Sequence, residues 1–170
     1  MSRLILSEYF YPARFFARTG RYIASVQLPS GAVPWYAGGI LDPWDHIESA
    51  MGLALAGCHR RARRAYLWCA RNQLPDGGFW PAYADSRPVD TSRKEAHHSA
   101  YLATGLWHYY LITGDAGFLA RMWPAAEKGL DFACALQSEQ GEVAWAQLPG
   151  GEAYPDALVT GCSSVYKSLE

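Results

Sequence analysis

The run Gln73-Leu74-Pro75-Asp76-Gly77-Gly78-Phe79-Trp80 decides how this chain is read. It closes an arginine-rich amphipathic stretch, turns through Gly77 and lands on a tryptophan. Two other segments echo it: Gln27-Leu28-Pro29-Ser30-Gly31-Ala32-Val33-Pro34-Trp35 upstream, and Gln137-Ser138-Glu139-Gln140-Gly141-Glu142-Val143-Ala144-Trp145 downstream. In each copy a glycine follows the Gln by four residues and a tryptophan by seven or eight. The glutamines are 46 and 64 residues apart, so the repeating unit is a helical hairpin of uneven length and not a strict short solenoid repeat.

The helices follow outward from these corners. A first helix is expected over 8–27, with Tyr9, Phe10, Phe15, Phe16, Tyr22 and Ile23 as its apolar side and Gly20 as a weak point. After a Gly/Pro loop over 28–41, Asp42-Pro43 predicts a helix start: Asp as N-cap, Pro in the first turn, Asp45 near the positive dipole end. This second helix runs to Ala56 and stops at Gly57; the third, His59 to Gln73, turns Ala62, Ala65, Tyr66, Cys69 and Ala70 inward. Asp90 or Ser92 is expected to cap a fourth helix ending at Thr113-Gly114. Asp115 then caps a short helix, and Pro124, costly in a helix interior, opens a fifth that runs to Gln137. A sixth begins at Pro155-Asp156 and is still running at Glu170.

Long connections follow the odd helices and very short ones follow the even helices, which makes antiparallel neighbours and gathers all the long loops at one end. The starts of the even helices gather there too. The fold expected is all-α: a partial α/α toroid of about three hairpins with alternating outer and inner helices. Residues 1–170 are expected to form one domain, truncated at the C-terminus, with a strand only within Glu142–Ala146. A half ring would leave apolar surface on Leu158, Val159 and Val165, and two copies could complete one ring as a homodimer.

A chain of 170 residues that is 50% hydrophobic can bury a sizeable core. Its net charge of −1 supplies no field for nucleic acid. Arg60, Arg61, Arg63, Arg64 and Arg71 read as a solvated outer helix face in preference to a phosphate or anionic-lipid patch. Cys58, Cys69, Cys134 and Cys162 lack metal-binding spacing and read as buried free thiols of a reducing compartment. No transmembrane segment and no secretory leader is legible, so a cytoplasmic protein is expected.

Arg64-Ala65-Tyr66 followed by Gln73 and Gly77-Gly78-Phe79-Trp80 resembles the Gln–Trp repeat of squalene and terpene cyclases and protein prenyltransferases, which are α/α toroids. In that fold the Gln ties an outer helix to the inner helix that follows. Gln27–Trp35, Asp42-Pro43-Trp44-Asp45-His46, Ala103-Thr104-Gly105-Leu106-Trp107-His108 and Thr160-Gly161-Cys162-Ser163-Ser164 look like a group of actinobacterial prenyltransferase-like proteins, a likeness covering nearly the whole chain. Thr113-Gly114-Asp115, Phe118-Leu119 and Met122-Trp123-Pro124 are similar to a helix-turn of six-hairpin glycosidases. The resemblances agree on the fold and diverge on the reaction. The D-x-D-D proton donor of hopene-type cyclases is missing from this sequence, no zinc set of protein prenyltransferases stands out, and no glycosidase acid–base pair carries over.

Chemistry is expected at the mouth. Asp42, Asp45 and Glu48, with Asp90, are candidate catalytic carboxylates, since crowding raises pKa values and can set a general acid beside a base. N-cap and dipole preferences account for many of the same positions. His97 is a further catalytic candidate. Tyr101 and His108 share its helix face through Thr104, as in a helix lining a polar cavity or one making core hydrogen bonds. Trp35, Trp44, Trp80 and Trp145 are candidate substrate platforms, although a Trp repeated at each corner also suits a hairpin lock. His97 and His98 are neighbours and should diverge around a helix, so no metal and no cofactor is expected. The resemblances imply a small-molecule substrate: an isoprenoid handled by a prenyltransferase or cyclase, or alternatively a sugar handled by a six-hairpin glycosidase, with a non-catalytic binding module as the third possibility.

Overall fold

The computed structural model describes residues 16–170. Among them six helices carry the fold: α1 (Ala17–Val26), α2 (Pro43–Leu55), α3 (His59–Asn72), α4 (Ala96–Thr113), α5 (Ala116–Cys134) and α6 (Val159–Leu169). The part of the expected first helix that precedes Phe16 lies outside the described residues. Short strands occur only in the long connections. β1 (Ala82–Ala84) pairs antiparallel with β2 (Arg87–Asp90), and β3 (Lys94–Glu95) with β4 (Ala146–Gln147). The second ladder joins loops far apart in sequence, so local alternation could not reveal it beyond the hint at Ala146.

The even helices form one layer and run parallel. Trp44, in the first turn of α2, stacks on Tyr101 of α4 at 3.9 Å between ring centroids, and one turn on Ile47 presses on Gly105. A β-carbon at Gly105 would lie 2.5 Å from the Ile47 Cγ2, so glycine is what lets these helices approach. From α4 to α6, Gly161 sits behind His97, and Thr104 Oγ1 meets Ser168 Oγ at 2.9 Å, both pairs 64 residues apart. By contrast α5 runs antiparallel to α4. Gly129 packs on the Ser99 carbonyl, and Phe118 meets Tyr109 at the far end. The alternating outer and inner helices of an α/α toroid are therefore present, with the starts of α2, α4 and α6 at one mouth.

The glutamine corners hold the outer layer. Gln27 Nε2 donates to the Gly31 carbonyl at 3.1 Å, closing its own turn, and to the Arg61 carbonyl of α3 at 2.9 Å. Gln73 repeats this, donating to Gly77 at 3.1 Å and to Ala125 of α5 at 2.9 Å. The amide thus joins one outer helix to the next outer helix, not to the inner helix that follows as the cyclase resemblance implied. Gly31 (φ 103°) and Gly77 (φ 93°) lie on the backbone of those same outer helices, where a β-carbon would come within 2.2 Å of the Arg64 carbonyl and 2.0 Å of the Lys128 carbonyl. Gln137 closes its turn onto Gly141 at 2.8 Å. A fourth turn of the same kind, Gln147-Leu148-Pro149-Gly150-Gly151, repeats the backbone pattern, with Leu148 N donating to Glu152 O and Gly151 N to Leu148 O.

The arginines are fasteners. Arg61 donates to the Ala24 carbonyl, Arg64 to Leu28 and Pro29, Arg71 to Ser30, and Arg63 pairs with Asp115 at 2.8 Å. Arg61, Arg64 and Arg71 satisfy carbonyls in and just before the first corner, which local sequence on α3 could not show.

Other expectations shift. Pro124 lies inside one continuous α5, because the buried face of Phe118, Met122, Ala126, Gly129 and Ala133 continues past it while Pro124 itself is exposed. Neither Asp90 nor Ser92 caps α4; Asp90 accepts from the Ser92 amide in a local turn, and the helix starts after Glu95. The sixth helix starts at Val159 and not at Pro155-Asp156. Gly20 does not weaken α1 but seats it, since a β-carbon there would lie 2.4 Å from Ala56 Cβ. Leu158 and Val159 are exposed as expected, but Val165 is buried. Of the cysteines only Cys69 is buried, and Cys134 is exposed.

The core falls into two clusters. The larger joins α2 and α3 to Leu102, Leu106 and Tyr109 of α4; the smaller sets Ala96 and Ala100 of α4 against Phe132, Leu136, Val143 and Val165. Inside the first, His46 is fully buried. Its Nδ1 accepts from the Val33 amide at 3.1 Å, so Nε2 carries the proton and donates to the Ala65 carbonyl at 3.0 Å. Burial pushes its pKa down to about 4.

Two stability tests follow. Gln73→Ala should cost roughly 1–2 kcal/mol in urea unfolding, by removing the bonds from its part-buried amide to the Gly77 and Ala125 carbonyls, whereas Gln137→Ala should cost under about 0.5 kcal/mol; equal losses would refute the corner assignment. The unfolded chain takes up the His46 proton near pH 6.5 and the folded one only near 4. Stability is therefore intact above pH 6.5 and falls by about 3 kcal/mol on acidification to pH 4; a flat profile across that window would contradict it.

Candidate active site at the mouth of the inner helices

The first turn of α2 builds one wall. Asp42 caps the helix, with Oδ1 accepting from the Asp45 amide at 2.8 Å and Oδ2 from Trp35 Nε1 at 2.9 Å. That bond pins Trp35 over the mouth, where 48% of it is exposed. One turn on, Glu48 Oε1 accepts from Trp44 Nε1 at 3.0 Å and from the Tyr101 hydroxyl at 3.3 Å. These bonds fix the stacked Trp44–Tyr101 pair, and burial together with Glu48 pushes the Tyr101 pKa up to about 12.

Two clefts open on either side of Asp45. One, of about 450 Å³, is lined by Tyr22, Val33, Trp35, Asp45, Glu48 and neighbours. The other, of about 310 Å³, is lined by Asp42, Trp44, Asp45, His97, His98 and Thr160. Asp45 faces both. Its pKa is raised, first by partial burial and then by the charge of Asp42.

The start of α4 builds the second wall. Glu95 is buried and takes a charge-assisted bond from Arg93 Nε at 2.8 Å. The guanidinium lies over the Trp145 ring, 4.9 Å from its centroid. The other carboxylate oxygen, Oε2, lies 3.5 Å from His97 Nε2 and 3.3 Å from His98 Nε2. The two histidines converge where helical spacing predicted divergence, with ring centroids 4.6 Å apart, because the long Glu95 side chain reaches between them at the helix start. Burial lowers both pKa values, that of His97 to about 4.

Of the residues singled out in the sequence, Asp42, Asp45, Glu48, Trp35, Trp44, His97 and Tyr101 come together at this mouth. Asp90 and Trp145 stand behind it, holding Arg93 from either side, with Asp90 Oδ2 at 3.8 Å. Hydrogen bonds from Ser92 hold the Asp90 carboxyl below its usual range. Trp80 packs on the larger core as a hairpin lock. His108 lies eleven residues beyond His97, about 16 Å along the helix axis, half-buried. Thr104, between them, is used in the contact with Ser168. Sequence reasoning passed over Arg93 and set His98 aside as diverging from His97, although charged residues just before two histidines at a helix start were the available signal.

No family model matches the chain. It is similar to the MMP endo-(1,4)-3-O-methyl-alpha-D-mannosidase of Mycolicibacterium hassiacum, with 47% identity over 152 residues. The match covers 89% of this chain and 42% of the mannosidase, so the chain spans about two fifths of that relative's length. A glycosidase relative favours the sugar reading of the fold over the isoprenoid one. Among the described residues no helix is long and apolar enough to cross a membrane.

Replacing Asp42 by Asn removes the neighbouring charge and should lower the Asp45 pKa while leaving it above 3.8, since burial is the larger cause. Carboxyl-carbon NMR titration reads this directly, and an unmoved Asp45 would refute the coupling.

Proposed function

We propose that this chain forms the acid-bearing wall of a glycoside-hydrolase cleft for α-(1→4)-linked 3-O-methylmannose chains. The observation that carries the reading is Asp45: a carboxyl with raised pKa, shared by two adjoining clefts, in a chain 47% identical over 152 residues to an endo-mannosidase of that substrate. A carboxyl that holds its proton longer than usual suits the general acid that protonates a departing glycosidic oxygen. The two clefts then accept the chain on either side of the bond, which an endo-acting enzyme requires.

The rest of the wall serves the acid. Asp42 supplies the neighbouring charge and fixes the first turn of α2. Glu48 holds the Trp44 and Tyr101 rings, and with Trp35 these offer flat apolar faces to pyranose rings, with added contact for methyl ethers. Among the described residues the carboxyls lining the clefts, Asp42, Asp45 and Glu48, all stand on the first two turns of α2 or its cap. An acid and its partner flank the scissile bond, so the partner stands across the cleft and not beside Asp45 on the same helix. The isoprenoid alternative is less well supported, since both clefts carry ionisable groups on their walls.

Calorimetry with a 3-O-methylmannose oligosaccharide should show binding that Trp44→Ala weakens. Asp45→Asn should retain binding and lower turnover by about 10²–10⁴-fold. Binding of prenyl diphosphates with none of the oligosaccharide would overturn the proposal.

A further inference from the structure

We propose that Glu95, His97 and His98 form a binding site for a divalent first-row transition-metal ion, with zinc the best fit to the donor set. One ligand atom from each lies within 4.8 Å of the others. The Glu95 Oε2 separations of 3.5 and 3.3 Å from the two Nε2 atoms are those between ligands of one ion. Metal–ligand bonds of about 2.0–2.1 Å in a tetrahedron place neighbouring ligand atoms about 3.4 Å apart. The three atoms are close enough together to share one ion. Two imidazoles and one carboxylate are a donor set that suits zinc and its neighbours better than magnesium or calcium.

The other ring nitrogens supply an independent observation. His97 Nδ1 and His98 Nδ1 are buried with no hydrogen-bond partner, and His98 is only 7% exposed. At His46 a backbone amide donates to Nδ1 and forces the proton onto Nε2, which disqualifies that ring as an Nε2 ligand. No protein group does this at His97 or His98, so both rings are free to turn an Nε2 lone pair toward a cation. Charge agrees. Arg93 is shared by Asp90 and Glu95, while Asp42 and Asp45 border the same cleft as the two histidines, which adds negative charge to the neighbourhood. His97 and His98 both line the cleft with Asp42 and Asp45, so the site is reached from it, and an ion there would keep an open coordination position toward that cleft.

The test needs no sugar, so its failure leaves the glycosidase reading standing. Chelator-treated protein is titrated with ZnCl₂ by calorimetry and with CoCl₂ by visible absorption. One ion per chain is expected, with an intense four-coordinate Co²⁺ spectrum, both lost in the His97→Ala/His98→Ala double variant and kept in Asp90→Asn. Should the double variant fail to fold, nitrogen NMR of the unaltered protein decides: zinc should shift the Nε2 resonances of His97 and His98 and leave that of His46 unmoved. Absence of saturable binding, undiminished binding in the double variant, or zinc shifts confined to other histidines would each overturn the proposal.

Discussion

The side-chain amides of Gln27 and Gln73 are the constraint from which the rest follows. Each gives one proton to its own turn and the other to a carbonyl on the next outer helix. A carbonyl inside a helix already accepts from the amide four residues on, and its second lone pair can accept from a side chain without breaking the helix. The turn glycine lies flush on the same outer helix because it lacks a β-carbon. Amide and glycine together fix how far one hairpin sits from the next. With the outer layer spaced, the inner helices have one way to run, and their first turns meet.

That meeting explains the crowd of ionisable groups at the mouth. Helix starts carry partial positive charge and unpaired amides, so carboxylates such as Asp42 are stable there with no functional demand. What an isolated helix start does not produce is convergence. Here Asp45 is shifted by Asp42, Glu48 reaches across to Tyr101 on another helix, and Glu95 draws two imidazoles together. The reach of Glu48 to Tyr101 depends on α2 and α4 lying side by side in parallel, which the contact of Ile47 with Gly105 allows.

The architecture was legible because repeated corners are local: Gln, a turn glycine and Trp within nine residues mark where a helix ends and the chain reverses. The caps at Asp42 and Asp115 were legible for the same reason, since both side chains accept from an amide three residues on. What could not be read depended on neighbours distant in sequence. Pro124 looked like a boundary until the buried face around it overrode its local cost. The arginines of α3 looked like a solvated face because the carbonyls they hold lie in a loop some 35 residues earlier. His97 and His98 looked divergent because the group that unites them stands just outside the helical geometry used to judge them. The mannose reading needed a relative as well, since aromatic platforms and acids serve several chemistries.

The division of the core gives α4 a mechanical role. Its later turns are anchored in one apolar cluster and its first turn in the other, and α5 crosses both as well, with Phe118, Met122 and Ala126 in the first and Phe132 and Ala133 in the second. Asp42 belongs to the first cluster's side through α2, and Thr160 to the second's through α6, yet both border the same cleft. Two helices that cross both clusters brace the gap between them. The width of the cleft is therefore set by a pair of antiparallel rods and not by the loops at its rim.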